Sequence, residues 1–163
     1  MLHWWEGLVA GFAATLVMTP MMQAGAAMGM TRMNMAVMLG SMFRRDAGSA
    51  YRLGMALHFG NGLLFGFVYA LVWSAIDPAL DNAWWVGPVF GTVHSLVAMA
   101  TMPVMSGMHP RVEGRGGTAA AGEVVLPRFG FGGSGFGSMT PIGILMGHLV
   151  FGLVWGLAFW WLV

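Results

Sequence analysis

Residues 141–163 read PIGILMGHLVFGLVWGLAFWWLV, an apolar stretch without a single Asp, Glu, Lys or Arg. It is longer than the roughly 20 residues that an α-helix needs to cross the hydrocarbon core of a bilayer. Three further long apolar stretches precede it, at 5–30, 51–76 and 83–108. The chain as a whole is 58% hydrophobic and only 8% charged, far from the composition of soluble proteins. The sequence therefore predicts an all-α bundle of four transmembrane helices that forms one integral membrane domain, residues 1–163.

Arginine and tryptophan alternate along the chain. Basic loops favour the cytoplasmic side of a membrane, and indole rings gather at the interfaces. We therefore expect both connections that carry arginine to be cytoplasmic and both termini to lie outside. The arginines are Arg32, Arg44, Arg45 and Arg52, then Arg111, Arg115 and Arg128; the tryptophans are Trp4 and Trp5, Trp73, Trp84 and Trp85, and Trp155, Trp160 and Trp161.

The composition excludes several classes of function. A net charge of +1 and the lack of lysine leave no basic surface to neutralise nucleic-acid phosphates, so we predict no nucleic-acid partner. The lack of cysteine removes disulfides, thiolate nucleophiles and cysteine-ligated metals. No Ser-His-Asp or H-E-x-x-H arrangement is found, so no enzymatic activity is predicted. The acidic residues Glu6, Asp77 and Asp81 are expected to be solvated at the outer interface.

The two arginine-bearing connections differ in character. Residues 33–43 are too few to span a bilayer and too apolar for a free loop, so we expect a short helix lying at the cytoplasmic interface. Residues 109–140 are rich in glycine, interleaved with Phe129, Phe131 and Phe136. No strand and no Lys-Ser/Thr pair accompany these glycines, which excludes a P-loop. We expect a flexible cytoplasmic loop with phenylalanines dipping into the membrane.

A short motif of the form Phe-Gly-x-Val-aromatic/His occurs three times. Its copies are Phe65-Gly66-x-Val68-Tyr69, Phe90-Gly91-x-Val93-His94 and Phe151-Gly152-x-Val154-Trp155. In addition, Thr19-Pro20-Met21-Met22 in the first helix resembles Thr101-Met102-Pro103-Val104-Met105 in the third, and His58 and His148 lie equally far into the second and fourth. These likenesses suggest a tandem repeat of two helical hairpins, with an axis along the membrane normal.

Every span also carries glycines four residues apart. Small residues at this spacing let helix backbones approach closely, and close approach drives helix association in lipid. The glycines that we expect at helix interfaces are Gly62, Gly66, Gly87, Gly91, Gly152 and Gly156.

Pro20 and Pro103 lie in the cytoplasmic halves of their predicted helices. Pro20 frees the carbonyl of Leu16 and Pro103 that of Met99, so both helices are expected to kink. Thr19 is placed to help satisfy the freed carbonyl. Paired broken helices are also typical of transporter binding regions.

Three histidines, His58, His94 and His148, lie well inside the spans, where ionisable residues are functional candidates. Their helical spacing from glycines directs them into helix interfaces, and His58 and His148 lie at matching depth. Three roles stay open: hydrogen bonds across helices, cofactor binding and proton or ion conduction. A cofactor would be haem b or copper, held by His58 and His148 with His94 as a further candidate. Methionines at helical spacing also suit copper, although such a stripe more often serves adaptable packing.

Short motifs are spread over nearly the whole chain: GFAAT at 11–15 with MTP at 18–20, MLGSM at 38–42, HFGNG at 58–62 with FG at 65–66, MPVMSG at 102–107, and GHLVFG at 147–152. Together they resemble an uncharacterised family of small four-helix prokaryotic membrane proteins, known only as a domain of unknown function. The resemblance implies the cytoplasmic (inner) membrane as location and the two helix histidines His58 and His148 as recurring features. It supplies no substrate.

Three functions follow as hypotheses. The first is an accessory or structural subunit that packs within a larger membrane complex, with the lipid bilayer and other membrane subunits or a second copy as partners. The second is a small transporter or channel that uses the kinked helices and the intramembrane histidines. The third is a haem- or copper-binding membrane protein.

Overall fold

The computed structural model of the protein describes residues 2–114 and 120–163, so Arg115 lies outside the described residues. The described chain forms five α-helices: α1 (Trp4–Ala27), α2 (Met35–Gly40), α3 (Ala47–Ile76), α4 (Ala83–Met108) and α5 (Thr140–Leu162). Short 3-10 helices lie at Leu80–Asn82 and Phe131–Phe136. In the described chain, α1, α3, α4 and α5 are long and apolar enough to cross a membrane. The predicted all-α four-helix fold is confirmed, as is a short helix, α2, in the first connection.

Local hydrogen bonds fix two helix ends that differ from the expected ones. Helix α3 begins at Ala47 rather than at residue 51, because Asp46 Oδ1 accepts the N–H of Ser49 (2.8 Å) and caps the first turn. Hydrogen bonds from the side chain and the backbone of Ser49 also lower the pKa of Asp46. Helix α1 ends at Ala27, because Gly29 adopts a φ of 76° and the N–H of Met30 returns to the carbonyl of Gly25 (3.0 Å).

The fold divides into two compact units. The first comprises Met1–Met22, Phe59–Leu96 and Leu145–Val163. It contains all eight tryptophans and no arginine, and we call it the tryptophan unit. The second comprises Gln23–His58 and Val97–Ile144. It contains every arginine that the structure describes, and we call it the arginine unit.

In the tryptophan unit, α1 packs on α3 through glycine. A Cβ atom on Gly66 would overlap the carbonyl oxygen of Gly7 and approach the Cα of Gly11, and a Cβ on Gly62 would overlap the hydroxyl of Thr15. The two backbones are therefore too close for any side chain at these positions. Close approach of this kind maximises van der Waals contact, which replaces the missing hydrophobic force between helices in lipid.

Helices α4 and α5 meet in the same way. A Cβ on Gly87 would overlap the carbonyl oxygen of Gly152, and a Cβ on Gly91 would overlap that of His148. Gly156 lies equally close to the carbonyl oxygen of Ala83. All six glycines expected at interfaces thus lie against a neighbouring helix. Two other glycines with the same spacing, Gly25 and Gly143, have nothing within 4 Å of a Cβ position.

Trp155 joins the two helix pairs of the tryptophan unit. Its indole Nε1 donates to the carbonyl oxygens of both Gly7 and Gly66, each at 3.2 Å, and the side chain is fully buried. Its ring stacks on Phe159 with centroids 4.6 Å apart. The buried indole N–H therefore has its partners, as an interior donor requires. These contacts give this unit a closed aromatic core.

The two helices that were expected to kink continue through the prolines concerned. Helix α1 extends beyond Pro20, and α4 extends beyond Pro103. The Thr19 hydroxyl donates to the carbonyl oxygen of Thr15 at 2.6 Å, one position before the carbonyl that proline frees. The expected kinks stay a prediction.

The arginine unit corrects the expectation for the glycine-rich connection. Phe129 and Phe136 do not reach out to lipid but are buried together, with ring centroids 5.2 Å apart. Only Phe131 of the three is exposed. Gly132 and Gly133, with φ of 57° and 71°, allow the chain to turn tightly between Phe129 and Phe136. The described part of this connection is a packed element rather than a flexible loop.

Backbone hydrogen bonds attach this element to its neighbours in the arginine unit. The N–H of Val124 donates to the carbonyl of Arg45 (2.8 Å), and that of Phe129 donates to the hydroxyl of Ser106 (3.0 Å). The N–H of Arg32 donates to the carbonyl of Phe136 (2.9 Å). Because buried backbone groups need partners, these bonds make the burial of the two phenylalanines possible.

Helix α2 packs by its small residues against the first turns of α3. A Cβ on Gly40 would overlap the carbonyl oxygen of Ala50, and one on Gly54 would overlap that of Ala36. The side chain of Asn34 accepts the N–H of Val37 (3.0 Å) and caps the start of the helix. The predicted short helix therefore has a buried face within this unit.

Candidate functional site

Two of the predicted histidines lie side by side in the tryptophan unit. The rings of His94 on α4 and His148 on α5 have centroids 4.5 Å apart and an interplanar angle of 78°. The contact follows from the glycine packing, because Gly91 lets the backbone of His148 approach α4 one turn before His94. Both histidines lie on helices long and apolar enough to span a membrane.

A tyrosine extends this pair. The hydroxyl of Tyr69, on α3, is 3.2 Å from His94 Nδ1, and either atom is able to donate depending on the tautomer. The ring of Phe65 also lies against the His94 imidazole, tilted by 30° and with centroids 3.8 Å apart. Tyr69, His94 and His148 thus form a continuous group of titratable side chains, which we call the His94 cluster.

The three copies of the sequence motif meet at this place. The final residue of one copy, Tyr69, contacts those of the other two: its ring centroid is 5.3 Å from that of Trp155 and 6.0 Å from that of His94. Their phenylalanines surround the same core, with Phe151 5.6 Å from Tyr69 and Phe90 5.3 Å from it. The shared motif therefore places one polar-tipped ring from each of three helices at one point.

His58 belongs to the arginine unit, where it is 8% exposed. The hypothesis that His58 and His148 face each other stays a prediction. Within the tryptophan unit, the structure places His94 beside His148.

The His94 cluster does not fit a haem iron between its two imidazoles. Histidine nitrogens bind metals at about 2.0–2.1 Å, so rings on opposite sides of one iron have centroids about 6 Å apart. The observed 4.5 Å is too short for this arrangement. Among residues 2–114 and 120–163, no group of three or more His, Cys, Asp or Glu side chains is placed to hold a metal ion.

The methionines considered for copper serve packing where they are buried. Met18 lies in the hydrophobic core of the tryptophan unit. Met38, Met99 and Met102 lie in the hydrophobic cluster of the arginine unit. Met108 is exposed. This distribution is typical of methionine as a gap filler.

Two further titratable groups were not recognised from the sequence. Glu6 is 7% exposed, so the expectation that it is solvated is wrong. One sequence signal could have revealed this burial. Glu6 is followed at four-residue intervals by Ala10, Ala14 and Met18, which lie on the same helix face and are all buried. His109, one residue after α4, is also buried, and its place at the edge of a glycine-rich connection gave no sign of this.

His109 is held as a neutral imidazole in the arginine unit. Its Nδ1 accepts the N–H of Arg111 (3.1 Å), so its Nε2 carries the hydrogen and donates to the carbonyl oxygen of Met38 (2.9 Å). Burial lowers the pKa of His109, with a smaller contribution from the charge of Arg111. The ring packs against Phe129 and joins α2 to the glycine-rich connection.

Comparisons with known protein families, curated proteins and solved structures find no match to this chain. The family resemblance stays a prediction, and function has to be inferred from the chain's own residues.

Proposed function

We propose that this chain is a small multi-pass membrane protein that relays protons through the His94 cluster. The observation that carries the proposal is the contact between His94 and His148, extended by the hydrogen bond of Tyr69 to His94. Ionisable side chains placed at membrane depth are costly and mark ion or proton pathways.

The chemistry of the cluster suits proton transfer. An imidazole is able to take up a proton on one ring nitrogen and release one from the other, so it passes a proton on without leaving its place in the helix. The phenol of Tyr69 both donates and accepts hydrogen bonds, so it is able to continue the path from His94. The surrounding core is closed by buried aromatic rings, among them Trp155 and Phe151. A stepwise relay therefore fits better than an open aqueous channel.

The proposed setting is the cytoplasmic (inner) membrane of a prokaryote, with both termini outside. The division of tryptophan and described arginine between the two units supports it, because indoles favour the interfaces and basic residues the cytoplasmic side. Since the chain has no cysteine, single substitutions such as Arg44→Cys and Trp161→Cys introduce unique labels at exposed positions. An impermeant thiol reagent added outside cells should label Trp161→Cys but not Arg44→Cys; the reverse pattern would contradict the orientation.

The role as an accessory subunit, which the sequence favoured first, stays a prediction. Partners would be further membrane subunits or a second copy of the chain. Purification in mild detergent followed by native mass spectrometry tests this role, and a lone monomer would count against it.

The relay is tested by proton flux into proteoliposomes that carry a potassium gradient, valinomycin and an internal pH-sensitive dye. Wild-type protein should acidify the vesicles faster than empty liposomes do. The variants His94→Gln and His148→Gln should each reduce the rate at least about tenfold, and Tyr69→Phe should reduce it less. Thr92→Val is the matched control on α4, because the Thr92 hydroxyl donates to the carbonyl of Pro88 within its own helix. Equal rates in wild type and both histidine variants would overturn the relay.

A further inference from the structure

A buried carboxylate lies in the first turn of α1, apart from the His94 cluster. Glu6 is 7% exposed and begins the buried row that continues through Ala10 and Ala14. The other acidic residue within the candidate spans, Asp81, is exposed at the start of its span. Glu6 is therefore the buried carboxylate of these spans, and it lies entirely within the tryptophan unit.

The two oxygens of Glu6 have different surroundings. Oε1 is 3.0 Å from Nδ1 of His3, which is the one titratable group found in contact with Glu6 among the described residues. Oε2 is buried and has no hydrogen-bond partner in the described chain. The His3 side chain is 30% exposed, and its ring stands edge-on to Phe159 with centroids 6.2 Å apart.

This asymmetry is costly for an ionised carboxylate. A buried charge needs enough partners to replace the water it has lost, and a single histidine serves only one of the two oxygens. A bound proton removes the charge, and it needs no more room than the carboxyl group already has. The histidine supplies the link to water, because it touches Glu6 on one side and is partly exposed on the other.

We propose that Glu6 is a second proton-binding site of the protein and that His3 exchanges its proton with the aqueous phase. In the loading step, protonated His3 gives the proton on Nδ1 to Oε1 of the Glu6 carboxylate. A neutral imidazole and a neutral carboxylic acid result. The reverse step returns the proton to His3, which releases it to water, and no electrons are transferred. The site depends on neither His94 nor His148.

Labelling with a hydrophobic carbodiimide tests the site in the full-length protein in proteoliposomes. This reagent enters from the apolar phase, takes the proton of a carboxylic acid on its nitrogen and forms an acyl adduct with the carboxyl group. Peptide mass spectrometry should find the adduct on Glu6, with a rate that rises at least about fivefold for each unit of decreasing pH until it saturates. Glu6→Gln, which keeps the shape of the side chain, should remove the adduct.

Asp81→Asn is the matched control, because it removes an exposed carboxylate of the same unit. It should leave the labelling of Glu6 unchanged. A second measurement, infrared spectroscopy, should show the carbonyl band of a protonated carboxylic acid in wild type and not in Glu6→Gln. A folded wild-type protein with neither adduct nor band at any pH would overturn the proposal. Because neither readout requires flux, the site could be upheld while the relay through the His94 cluster fails, or the reverse.

Discussion

The tryptophan unit and the arginine unit are held together by different means. In the tryptophan unit, backbones touch through glycine, and a buried indole bonds to the carbonyls of two other helices. In the arginine unit, α2 also approaches α3 through glycine, but chain segments outside the long helices add their own backbone hydrogen bonds, helix caps and a buried neutral histidine. Lipid provides little hydrophobic force between helices, so the tryptophan unit depends on close van der Waals contact between helix backbones. The second unit resembles the interior of a soluble protein.

The largest expected effect is that of Gly66→Leu in the tryptophan unit. Its side chain would collide with the backbones of Gly7 and Gly11, which cannot give way as a flexible side chain would. We expect a loss of about 3 kcal/mol or more in the free energy of unfolding, at or above the upper range for overpacking. Gly60→Leu on the same helix is the control, since nothing lies within 4 Å of its Cβ position. Denaturation in mixed micelles gives the comparison, and equal stability of the two variants would refute packing by glycine.

The corresponding change in the arginine unit is Gly135→Ala. Its methyl group would overlap the carbonyl oxygen of Arg128 and displace the chain that buries Phe129 and Phe136. We expect a loss of about 2 kcal/mol, within the range for overpacking, and faster hydrogen exchange confined to this unit. Gly107→Ala, with open space at its Cβ position, should have little effect. Exchange that rises equally in the tryptophan unit would show that the two units do not differ in this way.

The variant Trp155→Phe tests the indole bridge. It keeps an aromatic ring in the core but leaves the carbonyls of Gly7 and Gly66 without their extra donor. A loss of about 1–2 kcal/mol is expected from the missing hydrogen bonds and the smaller ring. Trp161→Phe serves as control because Trp161 is 79% exposed. Thermal unfolding monitored by circular dichroism should distinguish the two variants. Identical unfolding midpoints would argue against the indole bridge.

The smallest effect is a pH dependence specific to the arginine unit. The pKa of His109 is lowered in the folded protein, so the unfolded chain binds its proton first as the pH falls below the ordinary value of about 6.5. Stability should therefore be constant above this pH and decrease below it, by at most about 1.4 kcal/mol per pH unit. Hydrogen exchange of α2 should report the loss, and His109→Gln should reduce its pH dependence. Unchanged pH dependence in His109→Gln would exclude this histidine as the cause.

Much of the fold was predictable because it depends on hydrophobicity and helix length. The bounds of α4 at 83–108 and the short helix in the first connection follow from local sequence. The site was predictable in part. His94 and His148 were named, but their pairing depends on which helices pack, and composition cannot reveal that. Glu6 and His109 were misjudged, because burial of a polar group is decided by contacts distant in the chain.

The sequence by itself determined that there are four long apolar helices and that the first and third connections carry the arginines. Length and hydrophobicity, which crossing a bilayer requires, are local properties of the chain. Only the tertiary structure decided that the glycines Gly25 and Gly143 stay open while Gly66 and Gly152 meet a neighbour. It also decided that three motif copies converge on Tyr69, His94 and Trp155. The physical reason is that glycines with the same spacing have different surroundings on different helices. Which surroundings a glycine has depends on which helix packs against it, and that is decided by contacts distant in the chain.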